Sequence, residues 1–324
     1  MDPKELASFL VDKATQYATK SFVEDDPIQI PHRFTSQDDI EISGLLAATL
    51  SWGNRKTIIA KSTELMDRMD QDPGNFIKEA TAGDLKAFEG FKHRTFQAVD
   101  VQGIVMGLQA LYAEYGSIGQ FFASHLTPHS ENLGPAFHAF KKFLLSNGLP
   151  ARAAKHFGDP EGGSACKRIV MYSRWMARPN TEGIDFGLWE EVSPKLLSLP
   201  LDVHSGRVAR SLGLLERKQN DWKAVQELVL ASPKATEIHS AMRVTRRTSR
   251  GRPAPSASAT IGITAQAKPE PKMNSTKNSM PPSTCWASTS ISYQPSMMAS
   301  VMVTANCAKW LPINGRPRVK MARL

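Results

Sequence analysis

The 324-residue chain has no apolar run of 18 residues, no clustered cysteines and no sustained alternation of apolar and polar residues. The first absence excludes a membrane-spanning helix, which needs about 20 mostly apolar residues in a row. The second excludes a disulfide framework and a clustered metal or iron–sulfur site, because Cys166, Cys285 and Cys307 stand far apart. The third leaves no sign of half-buried strands. The first twenty residues, "MDPKELASFLVDKATQYATK", carry charges throughout and lack the apolar centre of a signal peptide, so the expected compartment is the cytoplasm. No internal repeat is present, and the length suffices for one or two domains.

Acidic residues are scarce in one part of the chain only. Residues 235–324 hold 13 Lys+Arg against 2 Asp+Glu, with no Asp and no Phe, whereas residues 1–234 hold 27 against 29. The net charge of +9 therefore belongs to the C-terminal segment. The first 234 residues lack the overall basic excess of a phosphate-binding domain, although a local basic patch is compatible with that balance. The segment from Ala235 is rich in Ser, Thr, Pro, Arg and Met and cannot bury enough apolar surface to offset its ordering entropy. Disorder is expected there. It reads either as a basic tail that touches nucleic acid or as the product of a reading-frame change near residue 235, and the abrupt change in residue usage favours the frame change.

What is present is helical. "SQDDIEISGLLAATL" opens on a Ser36–Asp39 cap signal and continues with Ile42, Leu45, Leu46 and Thr49/Leu50 at helical spacing. Trp52-Gly53-Asn54 breaks that helix, and a second runs to about Met69. Further amphipathic segments end at Gly116, at Gly148, before Pro179 and before Pro233. The fold class is all-α over residues 1–234, and Trp52 and Trp175, at helical positions, are expected in its core.

One stretch, "PLDVHSGRVAR" at 200–210, places a lone acid at the head of a basic helix. By pattern alone Asp202 is an N-cap, its carboxylate accepting backbone N–H bonds at the positive end of the helix dipole. Lys167 in "GSACKRIV" reads as a solvated helix lysine, Gly162 and Gly163 as a turn, and His204 and His93 as packed or hydrogen-bonded structural histidines. Arg207 suits an acid partner as well as a phosphate.

Taken together, however, three stretches resemble the helix-hairpin-helix DNA glycosylases, the superfamily of endonuclease III and the 8-oxoguanine glycosylases. "LDVHSGRV" is similar to that superfamily's V-D-x-H-x-x-R-V segment, matched at Asp202, His204, Arg207 and Val208. "GGSACKRIVMYSRWM" resembles the end of the hairpin and the helix after it, with Lys167 where bifunctional members carry a nucleophilic lysine. "GLLAATLSWGNRKTI" resembles the early helix–turn that inserts a side chain into the DNA stack, with Thr49 in place of the usual glutamine, and "FEGFKHRTFQAVDVQGI" resembles the next helical link. The resemblance covers about residues 35–232. The hairpin, "FGDPEGGSACK", departs from L-P-G-x-G by one added residue before the lysine, and the Lys167–Asp202 interval carries the extra stretch "PNTEGIDFGLWEEVSPKLLS". The chain up to residue 234 also resembles a bacterial family of unknown function that shares "GNRK", "HRTF", "GSACKR" and "PLDVHSGRVAR".

The resemblance implies a two-lobed helical fold with its active site in a cleft. It implies Lys167 and Asp202 as catalytic residues, and Gly162, Gly163, Ser164, Thr49 and Arg207 on DNA. His204 and His93 are candidates for the pocket, without metal or cofactor. The expected partner is double-stranded DNA, acted on by a monomer; the competing expectation is a helical nucleic-acid-binding protein that has lost catalysis. Two residues suffice for the chemistry. A carboxylate stabilises the positive charge that develops on the sugar as an N-glycosidic bond breaks. A neutral amine attacking C1′ gives a Schiff base that permits strand nicking, and the target base leaves the stack to reach them.

Overall fold

The computed structural model describes residues 3–231; the expectation of a disordered or out-of-frame tail, and the residues Cys285 and Cys307, lie outside that span. The chain runs through α1 (Pro3–Tyr17), α2 (Lys20–Glu24), two 3-10 turns at Pro27–Gln29 and Pro31–Arg33, α3 (Gln37–Leu50), α4 (Arg55–Asp67) and α5 (Pro73–Glu79). A 3-10 segment at Asp84–Phe88 leads into a two-strand hairpin, β1 (Lys92–His93) with β2 (Phe96–Gln97). Then follow α6 (Ala98–Tyr115), α7 (Ile118–Ser124), α8 (Gly134–Ser146), a 3-10 segment at Ala151–His156, α9 (Lys167–Ala177), a 3-10 turn at Pro194–Leu196, α10 (Val203–Ser211) and α11 (Trp222–Ala231). The all-α class holds among the described residues. The correction is local: within the expected helical link, residues 92–97 form an antiparallel hairpin. Its reason is a short alternation, with His93 and Phe96 buried around the exposed Arg94 and Thr95, and Arg94 taking a φ of 55° at the turn.

The organising element is α3. Ser36 caps it, its Oγ accepting from the Asp39 amide at 3.2 Å, and Asp38 and Asp39 complement the helix dipole. Beyond that first turn every residue from Ile40 to Leu50 is buried. A helix apolar on all sides must lie inside the molecule, and α3 packs against α4, α5 and α9. Gly44 is what lets α9 come close, since a Cβ there would sit 2.7 Å from Met176 Cε. A second close approach joins α6 to the end of α8, where a Cβ on Gly103 would meet the Gly148 carbonyl oxygen at 2.7 Å. Buried hydrophobic residues from Ile28 to Leu228 join in one continuous cluster.

The charged exception inside α3 is Glu41, fully buried. Its carboxylate accepts from Trp189 Nε1 at 2.7 Å, Tyr112 Oη at 3.0 Å, the Ile118 amide at 3.0 Å and the Gly119 amide at 3.3 Å. Burial raises the Glu41 carboxyl above its ordinary range even against these bonds. One side chain thereby ties α6, α7 and the 188–192 loop to the central helix, and the donors satisfy a group whose burial is otherwise costly.

Candidate active site

Three helices point their N-termini at one cavity of about 890 Å³: α4 through Gly53 and Arg55, α9 through Cys166 and Lys167, and α10 through Asp202 and His204. Aligned peptide dipoles make each such end favourable to an anion; Asn54 caps α4, whereas no side chain caps α9. The charged side chains on the lining add to this, because Arg55, Lys155, Lys167 and Arg168 face a single acid, Asp202. A chain whose first 234 residues are nearly balanced in charge thus concentrates positive potential in one concavity.

Lys167 and Asp202, 35 positions apart, meet there. Lys167 Nζ donates to Asp202 Oδ2 at 2.5 Å, with the two side chains 37% and 20% exposed. The two oxygens of Asp202 divide their work. Oδ1 accepts from the amides of His204 and Ser205, both at 2.9 Å, so the residue is the N-cap of α10, while Oδ2 is turned to the lysine. Ser205 completes a capping box, its Oγ accepting from the Asp202 amide at 2.8 Å. Burial pushes the Asp202 carboxyl up, but the hydrogen bond and charge of Lys167 and the bonds from Ser205 outweigh it and hold the group below the usual carboxylate value.

The rest of "DVHSGRVAR" serves that position. Asn220 donates through Nδ2 to the Asp202 carbonyl at 2.9 Å, and its Oδ1 accepts from Arg210 Nη2 at 2.7 Å. Gly206 leaves room for this, since a Cβ there would lie 2.6 Å from Asn220 Oδ1. Arg210 also bonds the Arg217 carbonyl at 2.8 Å through Nε, which pins the turn after α10.

Lys167 is set by the hairpin before it. Cys166, buried, takes a φ of 52° and ψ of 27° and turns the chain directly into α9, with no side chain capping that helix. A left-handed non-glycine residue costs about 1–3 kcal/mol and is sustained by its surroundings. Gly158 across the hairpin has no room for a Cβ, which would lie 2.8 Å from Cys166 Cα. Burial drives the Cys166 thiol up to about 12, so it is an inert neighbour of Lys167.

The expected site residues separate into groups. Lys167, Asp202, Ser164 and His204 line the cavity. Gly162 and Gly163 lie exposed at the hairpin tip outside the lining, Gly163 at a φ of 77° with its carbonyl accepting from the Trp222 amide at 3.2 Å. Thr49 is 4% exposed inside α3; what it offers is its carbonyl, which accepts from Arg168 Nη1 at 2.8 Å. The Thr49 side chain lies outside the lining of the cavity. His93 is buried beneath Trp52, its Nε2 at 3.3 Å from the Trp52 carbonyl and its imidazole pushed down by burial. Arg207 is exposed on α10 outside the lining. Trp175 is core, as expected, but Trp52 is half-buried and lines the cavity, which corrects its assignment. Sequence reasoning missed Trp52, His156, Arg168 and Asn220. The break "WGN" after α3 was the available signal for the first, since it takes Trp52 out of the buried helix and into the turn before α4.

Residues 26–234 match the family model described as a protein of unknown function (DUF2400). The chain belongs to that family. No curated protein and no solved structure matches it. The matched DUF2400 span begins after α2 and contains the whole lining of the cavity, from Pro27 to Asn220. Among the described residues no group of three or more His, Cys, Asp or Glu is arranged to hold a metal ion, and no helix is long and apolar enough to cross a membrane.

Proposed function

We propose that this DUF2400 chain is a DNA glycosylase with lyase activity, which removes a damaged base from double-stranded DNA through Lys167 and Asp202. The observation that carries the reading is the 2.5 Å Lys167–Asp202 pair inside a cavity whose other charged side chains are all basic. Phosphate-bearing nucleic acid suits that field, and the resemblance of "GGSACKRIV" and "LDVHSGRV" to the glycosylase segments supplies the class of reaction.

In this reading the resting ion pair is the ground state, and Lys167 passes one proton to the departing base and attacks as the neutral amine. An extruded nucleotide enters between the two groups. The C1′–N bond breaks, and its electron pair leaves with the base, which is protonated as it departs. Lys167 Nζ forms a bond to C1′; opening of the C1′–O4′ bond then gives an iminium. Asp202, held by two amides so that Oδ2 cannot swing away, opposes the positive charge that builds on the sugar. Removal of a C2′ proton expels the 3′ phosphate and nicks the strand.

The test is borohydride trapping on duplex DNA carrying an abasic site or a damaged base. The expected result is a covalent adduct with the wild-type protein and none with Lys167→Gln, since an amide forms no Schiff base. DNA binding with no adduct and no base release from any substrate would favour the inactive nucleic-acid-binding protein instead.

A further inference from the structure

The wall of the cavity beside α9 is built from rings. Trp52 and His156 stack with centroids 5.0 Å apart and planes inclined by 28°. The Arg168 guanidinium carbon lies 5.1 Å from the Trp52 centroid, and its nitrogens are fixed by the Thr49 carbonyl at 2.8 Å and the Lys155 carbonyl at 3.3 Å. Arg168 is the residue after Lys167, so the ring wall and the amine share the first turn of α9. Trp52 and His156 both line the cavity.

His156 is only 5% exposed, yet its Nε2 has no hydrogen-bond partner among the described residues. A buried polar atom left unpaired is costly, and such atoms call for an explanation in what the site binds. We infer that the Trp52–His156 wall is the base-selecting surface of this cavity: an uncharged planar heterocycle docks against Trp52, and His156 reads its edge by a hydrogen bond. The inference deepens the glycosylase reading, on which it rests for the attachment of that base to DNA.

The chemistry of the wall decides the ligand class. Burial first, then the nearby Arg168 charge, lower the His156 imidazole to about 4, so it is neutral near pH 7 and offers one donor and one acceptor. Arg168 and Lys155 beside it disfavour a cation. A neutral imidazole gives no charge to hold an anion, which the uncapped N-terminus of α9 on the same lining serves better. An indole face takes a flat π-system, and stacking of this kind tolerates any base, which leaves discrimination to the hydrogen bond. The cavity falls within the range of about 300–1,000 Å³ usual for small-molecule sites.

The experiment is a titration of the protein, labelled with ¹⁵N-histidine, with free adenine, cytosine, uracil and 8-oxoguanine, reading the imidazole nitrogens. The His156 signals are assigned by their loss in His156→Phe, a variant that keeps a ring in the stack and removes the hydrogen bond. At least one base is expected to move a His156 nitrogen by several ppm and to bind at least tenfold more weakly to both His156→Phe and Trp52→Leu. No shift with any base at millimolar concentration, or binding equal in wild type and His156→Phe, overturns the inference. Borohydride trapping of the wild-type protein on an abasic duplex, which has no base to select, tests the lysine chemistry separately. Adduct without His156-dependent base binding sinks this inference alone; His156-dependent base binding without adduct sinks the lyase reading and leaves the base-selecting wall in place.

Discussion

Glu41 and Asp202 are both carboxylates that hold backbone amides at a helix N-terminus, and the difference between their surroundings separates a structural acid from one suited to chemistry. Glu41 lies inside α3 with both oxygens saturated by neutral donors from Tyr112, Ile118, Gly119 and Trp189 and no cation against it. Asp202 spends one oxygen on His204 and Ser205 and turns the other to Lys167 at the edge of a cavity. Burial outweighs the bonds at Glu41 and raises its carboxyl; Lys167 outweighs burial at Asp202 and lowers it. The buried acid is finished by its neighbours, whereas the other turns one oxygen to a lysine on the lining of an open cavity.

The largest expected effects fall on the cavity side. Lys167→Gln is expected to eliminate the trapped adduct altogether, read on a denaturing gel. Asp202→Asn is expected to slow single-turnover base release by about 100-fold to 1,000-fold, the scale of losing one preorganised electrostatic partner of a transition state. Unchanged rates in Asp202→Asn would reduce Asp202 to the status of a cap and erase the contrast with Glu41.

On the structural side the effect moves from rate to stability. Glu41→Ala leaves the Trp189 indole, the Tyr112 hydroxyl and two amides of α7 without their acceptor in the core. Breaking a buried polar network of this kind costs about 3–5 kcal/mol, measurable as a shift of the urea midpoint at constant slope. A loss below about 1 kcal/mol would mean that α7 is held by its apolar contacts, Ile118, Phe121 and Phe122, all fully buried.

How much of this was legible in the sequence depended on range. Local signals carried well: Ser36 does cap α3, Gly116 does close α6 with a φ of 79°, and Asp202 does cap α10. The pairing of Lys167 with Asp202 was reached only through resemblance, because no local pattern links residues 35 positions apart. Long-range roles were illegible. Nothing around Asn220 says that it bonds the Asp202 carbonyl, and nothing around Glu41 marks a hub, since an acid inside an apolar helix reads as an exposed position. Short aromatic segments misled: "FKHRTF" packs His93 and Phe96 inward from a hairpin whose two-residue strands are too brief to show a strand period.

Acid titration sharpens the comparison through His156. Its folded value of about 4 lies below the ordinary 6.5, so the unfolded chain binds the proton more readily and stability is lost as pH falls from 6.5 towards 4. The loss is expected on the order of 2–3 kcal/mol. Glu41 and Asp185, raised by burial, act in the opposite sense over the acid end of that window, and His93, lowered by burial, acts in the same sense as His156. The difference between wild type and His156→Phe therefore isolates the histidine: the variant's stability is expected to fall less steeply between pH 6.5 and 4. Parallel curves would show that His156 takes up its proton without resistance.

The smallest effect separates the two roles of Asp202 within one residue. Asparagine caps a helix about as well as aspartate, whereas alanine does not, at a cost of about 1 kcal/mol. Asp202→Asn is therefore expected to keep the bonds to the His204 and Ser205 amides and to change stability by only a few tenths of a kcal/mol, the Lys167 pair being partly exposed and worth little to folding. Asp202→Ala is expected to lose about 1 kcal/mol more, and Ser205→Ala a similar amount, because the capping box and the Ser205–Asp202 Oδ1 contact at 3.1 Å go with it. Base release orders the three differently. The two Asp202 variants, both without the charge, are expected to be equally slow, and Ser205→Ala, which keeps it, nearer to wild type. If rate instead follows stability across the set, the cap and the chemistry are one property, and Asp202 differs from Glu41 only in where it sits.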